Sequence, residues 1–319
     1  MRRIIPWLVA ALALSASIGA QAQTDFPSRP MKLLVGFPAG STADIIARLL
    51  AVKLGEALGQ PVVVEDRAGA GSSIAAEAVA RAPDSYTLLL STIANTINPS
   101  LFKIPFDFSR DLAAVALVAE APGLLAAHPS APHSVKELIA QAKARPGEIA
   151  YASAGTGTVT HLYGELFNLA AGVKLAHVPY KGSGQAQTDL LAGRIKLLFT
   201  PAATVIPHIK AGKLLALASI GREHLVALPG VPTLAEAGVP GFDAGLWFGL
   251  NAPAATTRIA IDRLNRETQR VLALPDVKKQ FAAQDIQPLG GSSDSFAAFI
   301  RQETEKWARV VKTANIKGE

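Results

Sequence analysis

The regular part of the chain begins with an apolar run that passes into a helical spacing of apolar side chains. Residues 31–37 are mainly apolar, and the run breaks at Pro38-Ala39-Gly40. Apolar residues then recur every three or four positions until Gly59, at Ile45, Ile46, Leu49, Leu50, Leu54 and Leu58. This pattern predicts a buried strand, a tight loop and an amphipathic helix.

The same design returns near the middle of the chain. Residues 148–152 form a second short apolar run, and residues 153–158, Ser-Ala-Gly-Thr-Gly-Thr, form a second small-residue loop. A helical spacing follows and ends at Gly172, with apolar residues at Val159, Leu162, Leu166, Phe167 and Leu169. Because strand-like and helix-like segments alternate through the rest of the chain, we predict an α/β fold.

Two α/β domains suit a chain of 319 residues better than one. The apolar run 115–127 is interrupted by Pro122-Gly123, which predicts a strand that leaves one domain and enters another. Residues 245–251 predict the return. We therefore expect a first domain of residues 23–122 and 248–319, and an inserted second domain of residues 123–247.

Three segments have weaker patterns. Residues 98–111 contain two prolines and three phenylalanines, and we expect irregular structure there. Residues 233–237 are expected to form a short helix within a connection rich in proline and glycine. Two C-terminal helices, near residues 256–274 and 293–314, are expected to complete the first domain.

The N-terminus has the parts of a secretory signal peptide. Arg2 and Arg3 precede an apolar run of residues 4–18, and Ala20-Gln21-Ala22 gives a cleavage pattern of small residues. The run is shorter than the roughly 20 residues that a membrane span needs. We therefore expect residues 1–22 to be removed after about Ala22, which leaves a soluble protein outside the cytoplasm.

Composition excludes several classes of function. Without the leader, which carries two arginines and no acidic residue, the formal net charge falls from +6 to +4. Since the charges form no basic block interleaved with aromatic residues, we expect no nucleic-acid partner. The chain contains no cysteine, which excludes a disulfide framework, a thiolate nucleophile and a cysteine lipid anchor.

The loop at residues 38–41 is a candidate anion site. Ser41 occupies the N-cap position of the predicted helix, and Asp44 stands three residues later, as in a capping box. Backbone N–H groups at a helix N-terminus bind anions readily. Two interpretations remain open from this stretch: a carboxylate site, or an ordinary capped connection in which Asp44 pairs with Arg48.

The sequence offers little catalytic machinery. His161 and Glu165 lie one helical turn apart, without the His-Glu-x-x-His spacing of a zinc site. A catalytic base at His161 is less well supported than a packing or capping role. Ser91, Thr92 and Asn95 follow a predicted strand and are candidate cleft residues, although ordinary loop hydroxyls explain them equally well. We expect neither a cofactor nor a metal, and no enzymatic activity.

Five stretches resemble the periplasmic substrate-binding receptors of tripartite tricarboxylate transporters, also called the Bug family. They cover most of the mature chain in the family's order: FPAGSTADIIAR at 37–48, ARAPDSYTLL at 80–89, AGTGTVTHL at 154–162, HVPYKG at 177–182 and VPTLAEAG at 231–238. The resemblance implies a two-domain type II periplasmic-binding-protein fold whose ligand cleft lies between domains joined by two crossover strands. It also implies a small carboxylate ligand, closure of the cleft around it and delivery to a membrane permease; we expect a monomer.

The resemblance also implies site residues. One ligand carboxylate would contact Pro38, Ala39, Gly40 and Ser41, with Ser91 and Thr92 nearby. The second domain would contribute Ser153, Gly155, Thr156, Gly157 and Thr158, partly through ordered water. Asp44 and His161 would support these loops. Phe37 and Trp247 either line the cleft or pack at the hinge.

Two positions depart from the family pattern. Ser41 stands where the family usually has a second glycine. Thr200 stands where many members carry an acidic residue that would receive a ligand amino group. The resemblance therefore implies a ligand without an amino group, either a di- or tricarboxylate or an aromatic carboxylate. The alternatives are a ligand sensor that serves a signalling partner and, with less support, an enzyme on the same fold.

Overall fold

The computed structural model describes residues 26–180, 182–221, 223–242 and 244–316. The predicted signal peptide, residues 1–22, lies outside the described residues. The strands, in chain order, are β1 (Met31–Val35), β2 (Val62–Asp66), β3 (Thr87–Thr92), β4 (Leu112–Ala121), β5 (Gly123–Ala127), β6 (Ala150–Ser153), β7 (Ala176–Pro179), β8 (Leu197–Pro201), β9 (Leu215–Ile220), β10 (Leu246–Pro253) and β11 (Gln287–Pro288). The helices are α1 (Thr42–Leu58), α2 (Ser73–Ala80), α3 (Ala94–Leu101), α4 (Phe108–Asp111), α5 (Val135–Ala144), α6 (Val159–Ala171), α7 (Ser183–Leu191), α8 (Ala202–Lys210), α9 (Arg258–Ala273), α10 (Pro275–Ala282) and α11 (Ser293–Thr313).

The first sheet has helices on both faces. Its strand order is β11-β4-β10-β3-β1-β2, with β1 parallel to β2 and β3, and β10 antiparallel to β3 and β4. Leu33 packs into one hydrophobic cluster and Leu34 into another, because successive side chains of a strand point to opposite faces. A strand buried on both faces explains the continuous apolar run at residues 31–35.

The second sheet has the order β7-β6-β8-β5-β9. The strand β6 runs parallel to β7 and β8, whereas β5 runs antiparallel to β8 and β9. The chain passes between the sheets twice, at Pro122 between β4 and β5, and through residues 221–245 between β9 and β10. This is the predicted α/β architecture with two crossovers. The exact domain limits stay a prediction, and the one at 247/248 falls inside β10.

The expectation of irregular structure across residues 98–111 was wrong in part. The helix α3 continues through Pro99 to Leu101, and α4 occupies Phe108–Asp111. Asp107 caps α4 by accepting the N–H groups of Ser109 and Arg110. An aspartate followed by a helical turn is a recognisable N-cap signal, and the two prolines obscured it.

Two further differences concern the C-terminal half. Residues 233–237 form turns instead of a helix, with the Thr233 hydroxyl accepting the N–H of Glu236. The helix α10 was not predicted. It begins at Pro275, directly after the end of α9, because proline is suited to the first turn of a helix.

Candidate functional site

A cavity of about 370 Å³ lies between segments that follow strands of the first sheet and segments that follow strands of the second sheet. The first group includes Phe37 after β1, Thr92 at the end of β3, and Ala94, Ile97, Asn98 and Phe102 of the α3 region. The second group is residues 154 and 156–160, between β6 and α6. The carboxyl ends of parallel strands are the usual place for ligands in α/β folds, so this cavity is the candidate site.

The first loop, residues 38–41, is hydrogen-bonded within itself. Asp44 N–H donates to the Ser41 hydroxyl (3.2 Å), as predicted for an N-cap. The Asp44 carboxylate, however, accepts from Gly40 (2.7 Å) instead of Ser41, whose own N–H donates to Pro38 (3.2 Å). Contrary to the sequence expectation of free donors, the N–H groups of Gly40 and Ser41 are therefore engaged. Residues 38–41 do not line the cavity.

Asp44 carries a negative charge that serves this loop. Its side chain is almost fully buried, and Arg48 Nε lies 2.6 Å from its Oδ1. Burial disfavours the ionised carboxylate, but hydrogen bonds from Arg48 and Gly40 outweigh that effect and lower the pKa of Asp44. Arg48 also reaches Asp66, at 3.0 Å. The Asp44 carboxylate thus already accepts a hydrogen bond from this loop. A ligand carboxylate would have to share the same donor with Asp44.

The second loop, residues 153–158, is also largely satisfied internally. Four of its N–H groups donate within the protein: Ala154 to Thr160 Oγ1, Gly155 to Ser153 Oγ, Gly157 to His161 Nδ1 and Thr158 to the Gly155 carbonyl. Ser153 itself is fully buried. The loop is therefore held in shape before any ligand arrives.

The start of α6 keeps free donors at the cavity. Thr158 caps the helix by accepting from His161 N–H (3.4 Å). Among the described residues, the N–H groups of Thr156, Val159 and Thr160 have no protein partner. All three residues line the cavity. The positive end of a helix dipole adds to these donors, so this segment is the candidate anion-binding end of the cavity.

Two histidines lie behind the second loop. The rings of His161 and His177 stack with centroids 3.7 Å apart and an angle of 11° between their planes. Burial lowers the pKa of His161. Burial, with the neighbouring His161, lowers the pKa of His177 to about 4. Sequence analysis missed His177, although its place on the strand paired with β6 sets it opposite Tyr151.

The structure places Ser91, Thr92 and Asn95 differently. The Ser91 hydroxyl lies 2.6 Å from Asn251 Oδ1 and faces β10. Thr92 lines the cavity, and its hydroxyl accepts from Ala94 N–H (3.3 Å). Asn95 is buried, with its Oδ1 accepting from Thr92 N–H (2.9 Å). Of the three, Thr92 has the position of a ligand contact.

Thr200 does not line the cavity. It is 1% exposed, and its hydroxyl lies 3.1 Å from that of Thr204. A ligand contact at Thr200 therefore stays a prediction.

Phe37 lines the cavity, whereas Trp247 does not. The indole of Trp247 is buried on the other face of β10 and donates to Glu303 (3.1 Å). Leu246, the preceding residue, lines the cavity instead. Neighbouring strand residues point to opposite faces, so of the two interpretations left open for Trp247, packing fits and lining the cleft does not.

Sequence analysis also missed one wall of the cavity. Ile97, Asn98 and Phe102 contribute to this wall from α3 and its end, together with Ala70 and Gly71. The Asn98 amide fixes that loop by donating to the Gly71 carbonyl (2.7 Å). Sequence analysis did not predict this wall because the segment that begins at Asn98 was expected to be irregular.

Charged side chains are absent from the cavity lining among the described residues. The lining combines apolar groups, such as Phe37, Ile97 and Phe102, with threonine hydroxyls and backbone N–H groups. Such a surface can hold an anion through dipoles while it packs against the apolar part of a small molecule.

Comparisons with known proteins agree with this arrangement. Residues 46–316 match the family described as "Tripartite tricarboxylate transporter family receptor". The chain is 40% identical over 309 residues to protein BugT of Bordetella pertussis, and the match covers 95% of both chains. The solved structure of Rpa4515 from R. palustris with adipate is 34% identical, has a TM-score of 0.77, and is matched over 92% of this chain and all of that one. The structure of the periplasmic binding protein BugD is 33% identical with a TM-score of 0.75, over 92% of this chain and all of that one.

Proposed function

Because this chain belongs to the tripartite tricarboxylate transporter receptor family, also called the Bug family, we propose that it captures a small carboxylate outside the cytoplasm and delivers it to a membrane permease. The two-sheet fold confirms the predicted class of solute-binding protein. No helix among the described residues is long and apolar enough to cross a membrane.

The observation that carries the proposal is the N-terminus of α6 at the cavity. Free N–H groups of Val159 and Thr160, with the nearby Thr156 segment, present donors to a carboxylate. Each interaction of an anion with a helix end is worth roughly 0.3–1 kcal/mol when exposed and up to about 2 kcal/mol when partly buried. The uncharged lining makes these donors the source of anion selectivity.

We infer that the ligand lacks an amino group. An ammonium group buried in a cavity needs an acidic partner, and the lining of this cavity has none among the described residues. A plain dicarboxylate, a tricarboxylate or an aromatic carboxylate meets these conditions.

Isothermal titration calorimetry of the mature protein, residues 23–319, tests the proposal with succinate, adipate, citrate, benzoate and glutamate. We expect at least one of the four carboxylates without an amino group to bind with a Kd below about 1 mM. Glutamate is expected not to bind. Exclusive binding of glutamate would overturn the assignment of the ligand class. Binding of none of the four would contradict a role in capturing them.

A matched pair of variants tests the position of the site. Thr156→Asp places a negative charge beside the free donors and should abolish binding, whereas the neutral Thr156→Asn should retain most of it. Thr156 is half-buried and its side chain has no hydrogen-bond partner among the described residues, so both variants should fold. Equal affinities for the two would place the ligand elsewhere.

A further inference from the structure

The stacked imidazoles of His161 and His177 each control one glycine of the ligand loop. His161 Nδ1 accepts the N–H of Gly157 directly, at 3.0 Å. His177 acts through Ser153: its Nε2 lies 2.6 Å from the Ser153 hydroxyl, which accepts the N–H of Gly155 at 3.1 Å. The two rings therefore hold the loop from behind, at both glycines.

The glycines depend on these hydrogen bonds for their position. Gly155 has φ +133° and Gly157 has φ +76°, conformations in which glycine has no strong preference of its own. Gly157 lines the cavity beside the free N–H of Thr156. A shift of Gly157 would displace the donors that we assign to the ligand carboxylate.

The hydrogen bond to Gly157 fixes the proton on His161. An imidazole nitrogen accepts a hydrogen bond only when it carries no proton, so the proton of neutral His161 lies on Nε2. Protonation would turn Nδ1 into a second donor that faces the Gly157 N–H. The bond would then be lost, and a charged ring would lie in contact with His177.

The titratable groups around the stack have opposing effects. Glu165, on the next turn of α6, lies 3.9 Å from His161 Nε2 and favours the charged ring. The same carboxylate accepts from the Tyr151 hydroxyl of β6 at 2.7 Å, and the Tyr151 ring lies 5.2 Å from that of His177. Burial opposes protonation of both rings, and at His177 the neighbouring His161 adds to this effect, so the pKa of each ring lies below its usual value.

We propose that the His161–His177 stack positions the ligand loop, and that its protonation on acidification breaks the Gly157 bond and weakens ligand binding. This rests on the proposed function, since it places the carboxylate at residues 156–160. The direction in which ligand affinity changes on acidification separates this mechanism from a simple electrostatic effect. A positive charge near an anion site would by electrostatics alone strengthen binding in acid, whereas loss of the loop's geometry weakens it.

Two variants separate the hydrogen bond from the titration. His161→Asn offers an amide oxygen near the position of Nδ1 and does not titrate, so it should keep most of the affinity for adipate at about pH 7.5. His161→Leu offers no acceptor and should bind about fivefold more weakly at that pH, the equivalent of one hydrogen bond. His133→Asn alters an exposed histidine distant in sequence and serves as the control.

The decisive comparison is the loss of adipate affinity between about pH 7.5 and about pH 4, the pKa of His177. Protonation of adipate itself affects every variant equally, so the ratio of parent to His161→Asn isolates the histidine. We expect the parent and His133→Asn to lose about fivefold more affinity than His161→Asn. An equal loss, or a gain in the parent, would overturn the proposal.

A measurement without ligand keeps this proposal separate from the proposed function. The protection factor of the Gly157 amide against hydrogen exchange should fall on acidification in the ligand-free parent and stay constant in His161→Asn. If the factor behaves in this way while adipate does not bind, the loop mechanism stands and the ligand assignment fails. An unchanged factor in the parent would disprove the mechanism.

Discussion

Asp44 reaches back past the N-cap of its own helix and accepts the backbone N–H of Gly40, with 2.7 Å between Oδ2 and N. The bond closes residues 40–44 into a compact ring at the start of α1, and Ser41 caps the same helix from within that ring. An internal carboxylate thus occupies a donor that the sequence had assigned to the ligand. The loop after β1 is therefore a rigid element whose contribution to binding needs a direct test.

That test is the pair Ser41→Asp and Ser41→Asn. Both residues are good N-caps, so the melting temperature of the empty protein should change little in either variant. If the loop contacts the ligand carboxylate, the added charge of Ser41→Asp should weaken adipate binding at least about tenfold relative to Ser41→Asn. Equal affinities in calorimetry would assign the carboxylate wholly to the loop before α6.

Removal of the Asp44 side chain should destabilise the protein. Asp44→Ala leaves the Gly40 N–H and the Arg48 guanidinium without this acceptor, at a cost of about 1–3 kcal/mol in the free energy of unfolding. Asp44→Asn keeps an acceptor and should lose less. Urea denaturation at neutral pH measures both, and a loss as large in the asparagine variant would contradict the role of the Gly40 bond.

The same residue sets a pH dependence. Because the pKa of Asp44 is lowered in the folded protein, its charge stabilises the fold above the unfolded-state pKa of about 3.8, and this contribution disappears as pH falls through the lower folded-state value. The stability difference between the parent and Asp44→Asn should therefore shrink in that acidic range. A difference that does not change with pH would exclude the ionised form as the source.

Gly157 should not tolerate a side chain. A Cβ at this position would lie 3.2 Å from Leu101 Cδ1, in a backbone conformation with φ +76°. Gly147 has a similar φ of +81° but open space around it. Gly147→Ala should cost about 1–2 kcal/mol through the left-handed backbone alone. Gly157→Ala should cost more and should also reduce adipate binding; matching results from thermal denaturation and calorimetry for both variants would contradict this.

Glu303 holds together the aromatic core under α11. Its Oε2 accepts from the indole N–H groups of Trp247 (3.1 Å) and Trp307 (3.0 Å), and Lys306 pairs with its Oε1. Glu303→Ala leaves two buried donors without this acceptor and should lower the free energy of unfolding by about 2–4 kcal/mol. The exposed Glu305 on the same helix is the control, and Glu305→Ala should have almost no effect. An equally small loss at Glu303 would show that water replaces its carboxylate.

Local sequence signals predicted the strands, loops and helices around the site. Ser41 was expected at a helix start and acts as an N-cap, and Gly59 and Gly172 end their helices in the left-handed conformation. Each of these depends on a few neighbouring residues. For that reason the strand, loop and helix at both candidate loops could be predicted from the chain itself.

The contacts between elements could not be predicted in this way. His161 of α6 meets His177 of β7 because α6 packs against β6 and β7, which pair in a register that sets Tyr151 opposite His177. Leu246, and not Trp247, faces the cavity because successive side chains of β10 point to opposite faces. A shift of one residue along the strand therefore reverses the face. These contacts depend on how the strands assemble into sheets, so the local sequence of one element does not predict them.

Pro122 is the whole of the covalent link between β4 and β5, and this limits how the two halves of the molecule can turn against each other. Its φ is fixed by the ring near −65°, and its carbonyl is bonded to the N–H of Ala202 at 2.9 Å. The ψ of Pro122 is the one backbone dihedral outside both strands that can rotate at this crossover, so any larger rotation must also distort the end of β4 or the start of β5.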